Sequence, residues 1–290
     1  MARSTFEGVA IRGIAGAVPK TRLSMLTGHR ICTAEESKKI VDLTGVYEYR
    51  KATSAVCSSD LCQRAAESLL SGLGVNPTTI YAILFVTMTP DYRVPSTAGI
   101  LQDRIGASRA TVAFDINMGC SGYVVGLYNA CALLAGAGLK RVLLLAGDTQ
   151  TKLCCERDKS VVFLLGDGGT ATLLEAQGGV DSVTLELMTD GSRFKSLYIP
   201  AGGFRQPSSD ATREVKARPD GGLRSDDDLF MESMEIFKFS ADVVKTIQGF
   251  LDSRSLSHEH FDVLLLSQAN KFTNDRIARK LKFPAEKVPY

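Results

Sequence analysis

The sequence predicts an α/β fold whose parallel or mixed sheet is covered by helices on both faces. Short apolar runs, typical of buried strands, alternate with segments that have apolar residues at helical spacing. The clearest runs are residues 80–87, 111–116 and 141–146, and they are separated by helical patterns at 96–105 and 121–138. A chain of 290 residues with 44% hydrophobic residues can also bury a sizeable core.

Three further elements precede these runs. Residues 6–18 are apolar with interspersed glycines, and they predict a strand. A helix is predicted at residues 33–43, which ends at Thr44 and Gly45. A second helix is predicted at residues 58–73, where polar residues suited to capping come first.

The rest of the chain mixes strand and helix patterns with Gly-rich and polar segments. Strands are predicted at residues 160–165 and 170–175, joined by a tight Gly-Asp-Gly-Gly turn at 166–169. This turn is not a phosphate loop, because a strand and not a helix follows it. Further on, the sequence predicts a polar excursion at 191–228, a helix at 230–254, a strand at 261–266, a helix at 270–281 and the start of a strand at 288–290.

A strand, a turn and a helix follow one another twice, at residues 111–120 and again at 261–270. Such a parallel is what a duplication of α/β units would leave. We therefore expect two related halves, residues 1–175 carrying the candidate nucleophile and residues 176–290 forming a second half. The second half is expected to be incomplete, because the chain ends within an α/β unit.

Composition excludes several function classes. A formal net charge of +2 gives no global field that would attract nucleic acid or a membrane. No apolar run has the length of a membrane span, and the N-terminus lacks the apolar segment of a signal peptide. The seven cysteines are scattered without zinc spacing, so we expect no metal and free thiols in a reducing cytoplasm.

The most informative motif is the turn Gly119-Cys120-Ser121-Gly122. It lies between a predicted strand and a predicted helix, so the helix N-terminus should stabilise a thiolate at Cys120. Small neighbours leave room for an acyl group, and Gly119 and Gly122 are expected to let the backbone approach a ligand. Cys120 is therefore a candidate nucleophile for acyl transfer. The alternative is a buried cysteine that acts as a small hydrophobe.

Several motifs in order along the chain resemble those of β-ketoacyl-ACP synthase III, a condensing enzyme of the thiolase superfamily. They are Leu43-Thr44-Gly45-Val46, Thr87-Met88-Thr89-Pro90-Asp91, Val94-Pro95-Ser96-Thr97, Asp115-Ile116-Asn117-Met118-Gly119-Cys120-Ser121-Gly122, Leu165-Gly166-Asp167-Gly168-Gly169, residues 231–238 and Gln268-Ala269-Asn270.

The resemblance implies a thiolase fold, with two similar α/β halves packed as a five-layer αβαβα sandwich. It implies a homodimer in which the strand at 111–116 pairs across the two-fold axis. It also implies that Cys120 accepts an acyl group from an acyl-CoA or acyl-ACP thioester, without a further cofactor. The acyl group then condenses with malonyl-ACP after decarboxylation, and the enzyme acts in the cytoplasm.

The sequence departs from the family pattern at the second catalytic position. The family histidine before Gln-Ala-Asn is Ser267 here, and His29, His258 and His260 all lie outside the motif. Serine can donate a hydrogen bond but cannot act as a base near pH 7. We therefore expect Cys120 to be acylated and decarboxylation to be slow. The family's Gly-Asn-Thr-Ser motif would follow Tyr290, where the chain ends.

Other family positions bear on the substrates. Val94 stands where a large residue gates the partner's acyl pocket, which implies a wider pocket. The family's adenine clamp of Trp and Arg is replaced by Lys39, Leu43 and Lys152, and the chain has no Trp. This replacement implies a donor other than plain acetyl-CoA.

The acyl carrier protein is the implied partner. Its docking residues match Lys238, Arg279 and Lys280 together with the Gln268-Ala269-Asn270 segment, although Phe272 replaces a family basic residue. Basic side chains on helices are also commonly just solvated.

Two other functions stay open. The chain could transfer its acyl group to an alcohol or amine without decarboxylation, or it could be a non-catalytic partner subunit of a complete synthase.

Overall fold

A computed structural model describes residues 2–27, 31–180 and 182–290. The strands are β1 (Ala2–Phe6), β2 (Val9–Ala17), β3 (Arg22–Ser24), β4 (Glu48–Arg50), β5 (Ala82–Val86), β6 (Val112–Ile116), β7 (Arg141–Thr149), β8 (Asp167–Ala176), β9 (Val183–Leu187), β10 (Leu197–Tyr198), β11 (Lys216–Ala217), β12 (Leu223–Arg224) and β13 (Phe230–Met231). The α-helices are α1 (Ala34–Thr44), α2 (Ser58–Gly72), α3 (Thr97–Ile105), α4 (Gly122–Gly136), α5 (Asp210–Arg213), α6 (Ser233–Asp252) and α7 (Lys271–Lys280).

The described residues form two compact units. Unit 1 contains those of Met1–Arg22, Arg50–Gln150 and Gly166–Met188. Unit 2 contains those of Leu23–Tyr49, Thr151–Leu165 and Thr189–Tyr290. The expected division into related halves at residues 175 and 176 concerns ancestry, not local contacts, and it stays a prediction.

Unit 1 is built on a five-stranded mixed sheet in the order β2-β8-β7-β5-β6. The strands β6, β5 and β7 are parallel, while β8 runs antiparallel to both β7 and β2. The carboxyl ends of the three parallel strands therefore meet at one edge, where Val86 is in register with Ile116 and Ala146. A mixed sheet with helices between its strands was predicted, and it is confirmed.

Both faces of this sheet are covered, which explains why its central strands are continuously apolar. Along β5, Ile83 and Phe85 pack on the face covered by α2 and α3, whereas Leu84 and Val86 pack on the α4 face. All five residues of β5 are buried. A strand that is buried on both faces loses the alternation of apolar and polar residues that marks a half-exposed strand.

Two predictions that follow β7 are wrong. Residues 160–165 contain no strand and lie mostly in turns, in which the backbone N–H groups of Val161 and Val162 donate to the carbonyl of Asp158. The two valines are nevertheless buried, together with Phe163. These residues are apolar because they are buried. An apolar run by itself does not distinguish a strand from a buried turn.

The Gly-Asp-Gly-Gly segment is also not the tight turn that was expected. Its last three residues begin strand β8, where Asp167 is in register with Thr149 of β7. A Cβ at Gly169 would lie 2.7 Å from the Cys62 backbone nitrogen, so the glycine permits close packing between β8 and α2.

The described residues of unit 2 include two small cores. One surrounds Met25 and Val41 with the buried valines and phenylalanine of 161–163. The other lies between α6 and α7 and includes Ile277 and Leu281. The predicted helices at 33–43 and 270–281 are confirmed as α1 and α7, with Thr33 and Asn270 as N-caps.

Ion pairs hold the excursion at 191–228 in place. The Arg224 guanidinium donates to Asp158 at 3.1 Å and to Asp220 at 2.6 Å, and it lies 4.4 Å from the centre of the Phe230 ring. Arg224 and Asp158 are both buried. A buried ion pair of this kind is costly to break from one side, because the remaining charge is left without a partner.

The strands predicted at 261–266 and 288–290 are absent. Both segments are described, and Leu264 N donates a backbone hydrogen bond at 2.8 Å to the carbonyl of Lys287, the residue before the second segment. The Lys287 ammonium also donates to the Phe261 carbonyl at 2.6 Å. A strand requires a ladder of hydrogen bonds to a neighbour, which a suitable apolar pattern does not supply by itself.

Within the described part of the chain, no helix combines the length and apolarity needed to cross a bilayer. The same residues include no cluster of three or more His, Cys, Asp or Glu side chains that could hold a metal ion.

Candidate active site

Cys120 lies at the edge of the unit 1 sheet where the parallel strands end. It follows β6 by four residues and precedes the first residue of α4 by two. The turn is closed by a hydrogen bond from Gly122 N to Gly119 O at 2.7 Å, and the Cys120 side chain is exposed. The thiol is therefore accessible and lies beside the positive end of a 15-residue helix.

The glycines of α4 pack against the sheet. A Cβ at Gly122 would lie 2.4 Å from Val86 Cγ1, and a Cβ at Gly126 would lie 2.6 Å from Leu144 Cδ1. These separations are far below van der Waals contact, so any side chain would push the helix away from the strands. We expected Gly122 to let a ligand approach the backbone. The structure shows instead that this glycine lets α4 pack closely on β5.

The turn also contacts the segment that follows β5. A Cβ at Gly119 would lie 2.8 Å from the Met88 sulfur, so the Met88 side chain covers this glycine. The backbone of Thr87 also donates to the Ile116 carbonyl at 3.2 Å. Residues 87–89 therefore support the end of β6 and the turn beyond it.

A carboxylate at the end of β7 fixes the same segment. Asp148 Oδ1 accepts hydrogen bonds from Met88 N at 2.7 Å, Thr89 N at 3.1 Å, Thr87 Oγ1 at 2.9 Å and Thr89 Oγ1 at 3.0 Å. Burial raises the pKa of the Asp148 carboxyl above its ordinary value, and these hydrogen bonds oppose that effect.

A second carboxylate caps the helix that follows Val94. Asp115 of β6 accepts from Thr97 N at 2.8 Å and from Ala98 N at 2.7 Å, which satisfies two free amides at the start of α3. Val94 lies in the loop between β5 and α3 and is 84% exposed. Cys120 and Val94 therefore both follow parallel neighbouring strands at one edge of the unit 1 sheet.

Other cysteines of unit 1 have different environments. Burial raises the pKa of the Cys62 thiol to about 12 and that of Cys131 to about 11. Both side chains are fully buried. Neither can serve as an accessible nucleophile near neutral pH.

Ser267 lies in unit 2, in the segment before α7, and is exposed. Its carbonyl accepts from Ala269 N at 2.8 Å, and the Gln268 side-chain amide donates to the Leu266 carbonyl at 3.0 Å. Asn270 Oδ1 accepts from Thr273 N at 2.8 Å, which caps α7. Local hydrogen bonds therefore define the shape of residues 266–270.

The basic residues expected to meet a carrier protein are also in unit 2. Lys238 on α6 is exposed and pairs with Glu235 at 2.7 Å. Arg279 and Lys280 are exposed in the last turn of α7. They are separated from Asn270 by about 14 Å along the helix, at about 1.5 Å per residue, so the predicted docking residues lie at two ends of α7.

The described histidines lie in a 3₁₀ turn away from the Ser267 segment in sequence. His260 is exposed, and its ring accepts from Ser257 N at 3.0 Å. The His258 ring packs edge-on to Phe283, with 6.1 Å between ring centres. His29 lies outside the described residues.

The sequence analysis gave no structural role to Asp148, Asp115 or Met88. A carboxylate two residues after the apolar run at 141–146 was a usable signal for Asp148, because polar residues gather at the carboxyl edge of parallel strands. The contact between Met88 and Gly119 left no signal, because it joins residues 31 positions apart through side-chain packing.

Comparison with known proteins identifies the class. The crystal structure of a 3-oxoacyl-(acyl-carrier protein) synthase from Burkholderia xenovorans LB400 superposes with a TM-score of 0.91 at 35% identity, covering 100% of this chain and 81% of that one. The priming β-ketosynthase of the R1128 polyketide pathway, at 23% identity and a TM-score of 0.76, shares the fold. The protein is a thiolase-fold acyltransferase.

The family follows from sequence similarity. The family model for 3-oxoacyl-[acyl-carrier-protein (ACP)] synthase III matches residues 114–191. A beta-ketoacyl-[acyl-carrier-protein] synthase III from Streptococcus equi subsp. zooepidemicus is 36% identical over 245 residues, covering 84% of this chain and 72% of that protein. Its counterpart from Caldanaerobacter subterraneus is 33% identical over 270 residues, covering 89% and 78%. The chain belongs to the 3-oxoacyl-ACP synthase III family, condensing enzymes of fatty acid biosynthesis.

Proposed function

We propose that Cys120 accepts an acyl group from an acyl-CoA or acyl-ACP thioester and that the group is then transferred to a malonyl-ACP acceptor. The observation that carries this proposal is the exposed thiol of Cys120 at the carboxyl edge of the sheet, beside the N-terminus of α4. An accessible cysteine at a helix N-terminus is suited to nucleophilic attack, because the helix favours the thiolate.

The two steps balance as thioester exchange and carbon–carbon bond formation. The Cys120 sulfur attacks the thioester carbonyl, the new carbon–sulfur bond forms, and the donor leaves as a thiol that takes up a proton. Malonyl-ACP then loses carbon dioxide, and the resulting enolate carbon attacks the acyl group, which releases the Cys120 thiolate. Neither step transfers electrons to a redox centre, so the thioester substrates suffice without a cofactor.

Ser267 is the proposed donor to the developing negative charge in the second step. A hydroxyl can donate one hydrogen bond to a thioester carbonyl, but it cannot supply the charge or basicity of an imidazole. Loss of one such donor typically slows catalysis by about 10²–10³-fold. We therefore propose slow decarboxylation after normal acylation.

The donor is proposed to differ from acetyl-CoA. Lys39 forms an ion pair with Glu35 at 2.8 Å on the exposed face of α1, and Leu43 is 56% exposed. An aliphatic side chain cannot make the ionic contacts of an arginine to a nucleotide. The small Val94 side chain in place of a large gating residue favours a bulkier acyl chain.

The proposed partners are the acyl carrier protein and a second copy of the chain. Exposed Lys238, Arg279 and Lys280 would steer an acidic carrier, with residues 268–270 beside the incoming thioester. Strand β6 is at an edge of its sheet, and pairing it with a second β6 would bury that edge. A dimer mass by light scattering at micromolar concentration is expected, and a monomer would contradict it.

We propose that the enzyme acts in the cytoplasm. Its described cysteines include free thiols at Cys32, Cys62, Cys120, Cys131 and Cys155, as is usual in a reducing compartment.

Intact-mass spectrometry after exposure to a panel of acyl-CoA and acyl-ACP thioesters tests the proposal. We expect a single acyl adduct, mapped to Cys120 and missing from Cys120→Ala. An adduct that is passed to an alcohol or amine without carbon dioxide release would favour the non-decarboxylating alternative. If no thioester acylates Cys120, the non-catalytic partner subunit would replace the enzyme.

A further inference from the structure

We propose that Asp148 is a positioning residue for the nucleophile, acting on Cys120 through the Met88–Gly119 contact. This inference rests on the proposed acylation of Cys120. Asp148 is two residues beyond Ala146, where β7 is in register with the end of β5. Its carboxylate therefore lies beside the chain that leaves β5.

The first link is the concentration of hydrogen bonds on one oxygen. Asp148 Oδ1 accepts from two consecutive backbone amides, Met88 and Thr89, and from the hydroxyls of Thr87 and Thr89. Thr87 is 2% exposed, so water has little access to its side of the network. Four donors that converge on one acceptor fix both the backbone and the side-chain direction of this segment.

The second link is the contact between this segment and the nucleophile turn. Met88 Sδ would be 2.8 Å from a Cβ at Gly119, and Met88 Cε would be 3.3 Å away. Gly119 directly precedes Cys120, and its carbonyl accepts the Gly122 amide that closes the turn. A shift of Met88 therefore moves the side chain that packs against the Cys120 turn.

The network is also anchored on its far side. The Thr89 hydroxyl accepts from Thr149 N at 3.0 Å, and the Thr89 carbonyl accepts from Ser58 Oγ at 2.8 Å. The segment is thus fixed to β7 and to the start of α2. If the Asp148 carboxylate only stabilised the fold, it would not have to bind Met88, the residue that covers the nucleophile turn.

The experiment compares Asp148→Ala, Asp148→Asn and the control Asn76→Ala. Asn76 Oδ1 likewise accepts from a backbone amide and a hydroxyl, both of Thr78, but before β5 instead of after it. The readout is the rate of acyl-Cys120 formation at saturating thioester, measured on the fraction of each variant that elutes as folded protein in size-exclusion chromatography. Misfolded protein is thereby removed before the comparison.

We expect Asp148→Ala to lower this rate by about 10–100-fold with little change in KM, because a displacement of about 1 Å can cost as much. Asp148→Asn should recover most of the rate, since its amide oxygen can accept the same four bonds. Asn76→Ala should match the parent. Equal losses in Asp148→Ala and Asn76→Ala, or an unchanged rate in Asp148→Ala, would overturn the proposal.

A second pair of variants tests the contact even if Asp148→Ala does not fold. Gly119→Ala should impair acylation strongly in the parent but less in a Met88→Ala background, where the clashing sulfur is removed. If the effects of Gly119→Ala and Met88→Ala on the acylation rate are additive, the two residues are not coupled, and this would count against the contact.

Hydrogen exchange at the Gly122 amide separates this inference from the proposed function, because it needs no thioester. Faster exchange in Met88→Ala, and in Asp148→Ala where that folds, is expected, by about tenfold or more. Unchanged exchange would refute the positioning role whether or not the parent is acylated.

Discussion

The segments at 111–120 and 261–270 have the same sequence pattern, yet they are held in different ways. In unit 1 the apolar run forms β6, paired with β5 over five residues, and its turn is covered by Met88. In unit 2 the run forms no strand, and Leu264 N donates to the Lys287 carbonyl at 2.8 Å. The Cys120 turn therefore depends on tertiary contacts, whereas the Ser267 turn depends on its own neighbours in sequence.

This difference explains how each turn should respond to substitution. At the Cys120 turn the surrounding space is filled, so an added methyl group must displace a strand or a side chain. At Ser267 the side chain is exposed and its neighbours are held by short-range bonds, so a larger residue can be accommodated. The predictions below test this contrast in order of expected size.

The largest effect is expected in the reactivity of the thiols. At pH 7, iodoacetamide should label Cys120 at least about 10³-fold faster than Cys131, whose pKa burial raises to about 11. Cys57 and Cys154, both partly buried, should react more slowly than Cys120. Peptide mapping over a range of pH measures these rates. If Cys120 reacts no faster than Cys57 or Cys154, it is not the activated thiol.

The next largest effect is expected at the turn that contains Ser267. Ser267→His should raise carbon dioxide release from malonyl-ACP by about 10–10³-fold, the range for one oxyanion donor or acid–base group. The exposed position can accept the larger side chain without repacking. A parent that already releases carbon dioxide as fast as the Ser267→His variant would mean that serine suffices.

Glycine substitutions compare packed and open backbone directly. Gly122→Ala should lower the free energy of unfolding by about 1–3 kcal/mol, because its Cβ would lie 2.4 Å from Val86 Cγ1. Gly249→Ala on α6 has open space at the Cβ and should stabilise by about 0.5–1 kcal/mol. Urea unfolding measures both. The same sign for the two variants would contradict the packing argument.

The smallest effect is a pH dependence at Asp148. Because burial raises the pKa of this carboxyl, the folded state retains its proton at a pH where the unfolded chain has released it. Its contribution to stability is therefore complete below the ordinary value of about 3.9 and falls as pH rises through the raised value. Asp148→Asn removes this dependence, so its stability relative to the parent should increase with pH across that window. Parallel pH profiles from urea unfolding would contradict the shift.

Sequence alone was sufficient where residues close in the chain determine the structure. Helix α1 (Ala34–Thr44) has a capping box with Thr33 at its start and is followed by the left-handed Gly45, with a φ of 75°. Asn270 caps α7 through a bond to a residue three positions away. The turn at Cys120 between a strand and a helix was likewise predicted from the order of strand, glycines and helix, whereas the exposure of the thiol came from the structure.

Only the tertiary structure decided the features that join residues distant in sequence. Residues 160–165 and 261–266 have strand composition, but whether a strand forms depends on a neighbour that can complete its hydrogen bonds. The Asp148 network joins residues about 60 positions apart, and its four donors are invisible to any local pattern. Periodicity and capping specify elements because their interactions lie within one or two helical turns. The arrangement that holds Cys120 in place arises only once β5, β6 and β7 are side by side.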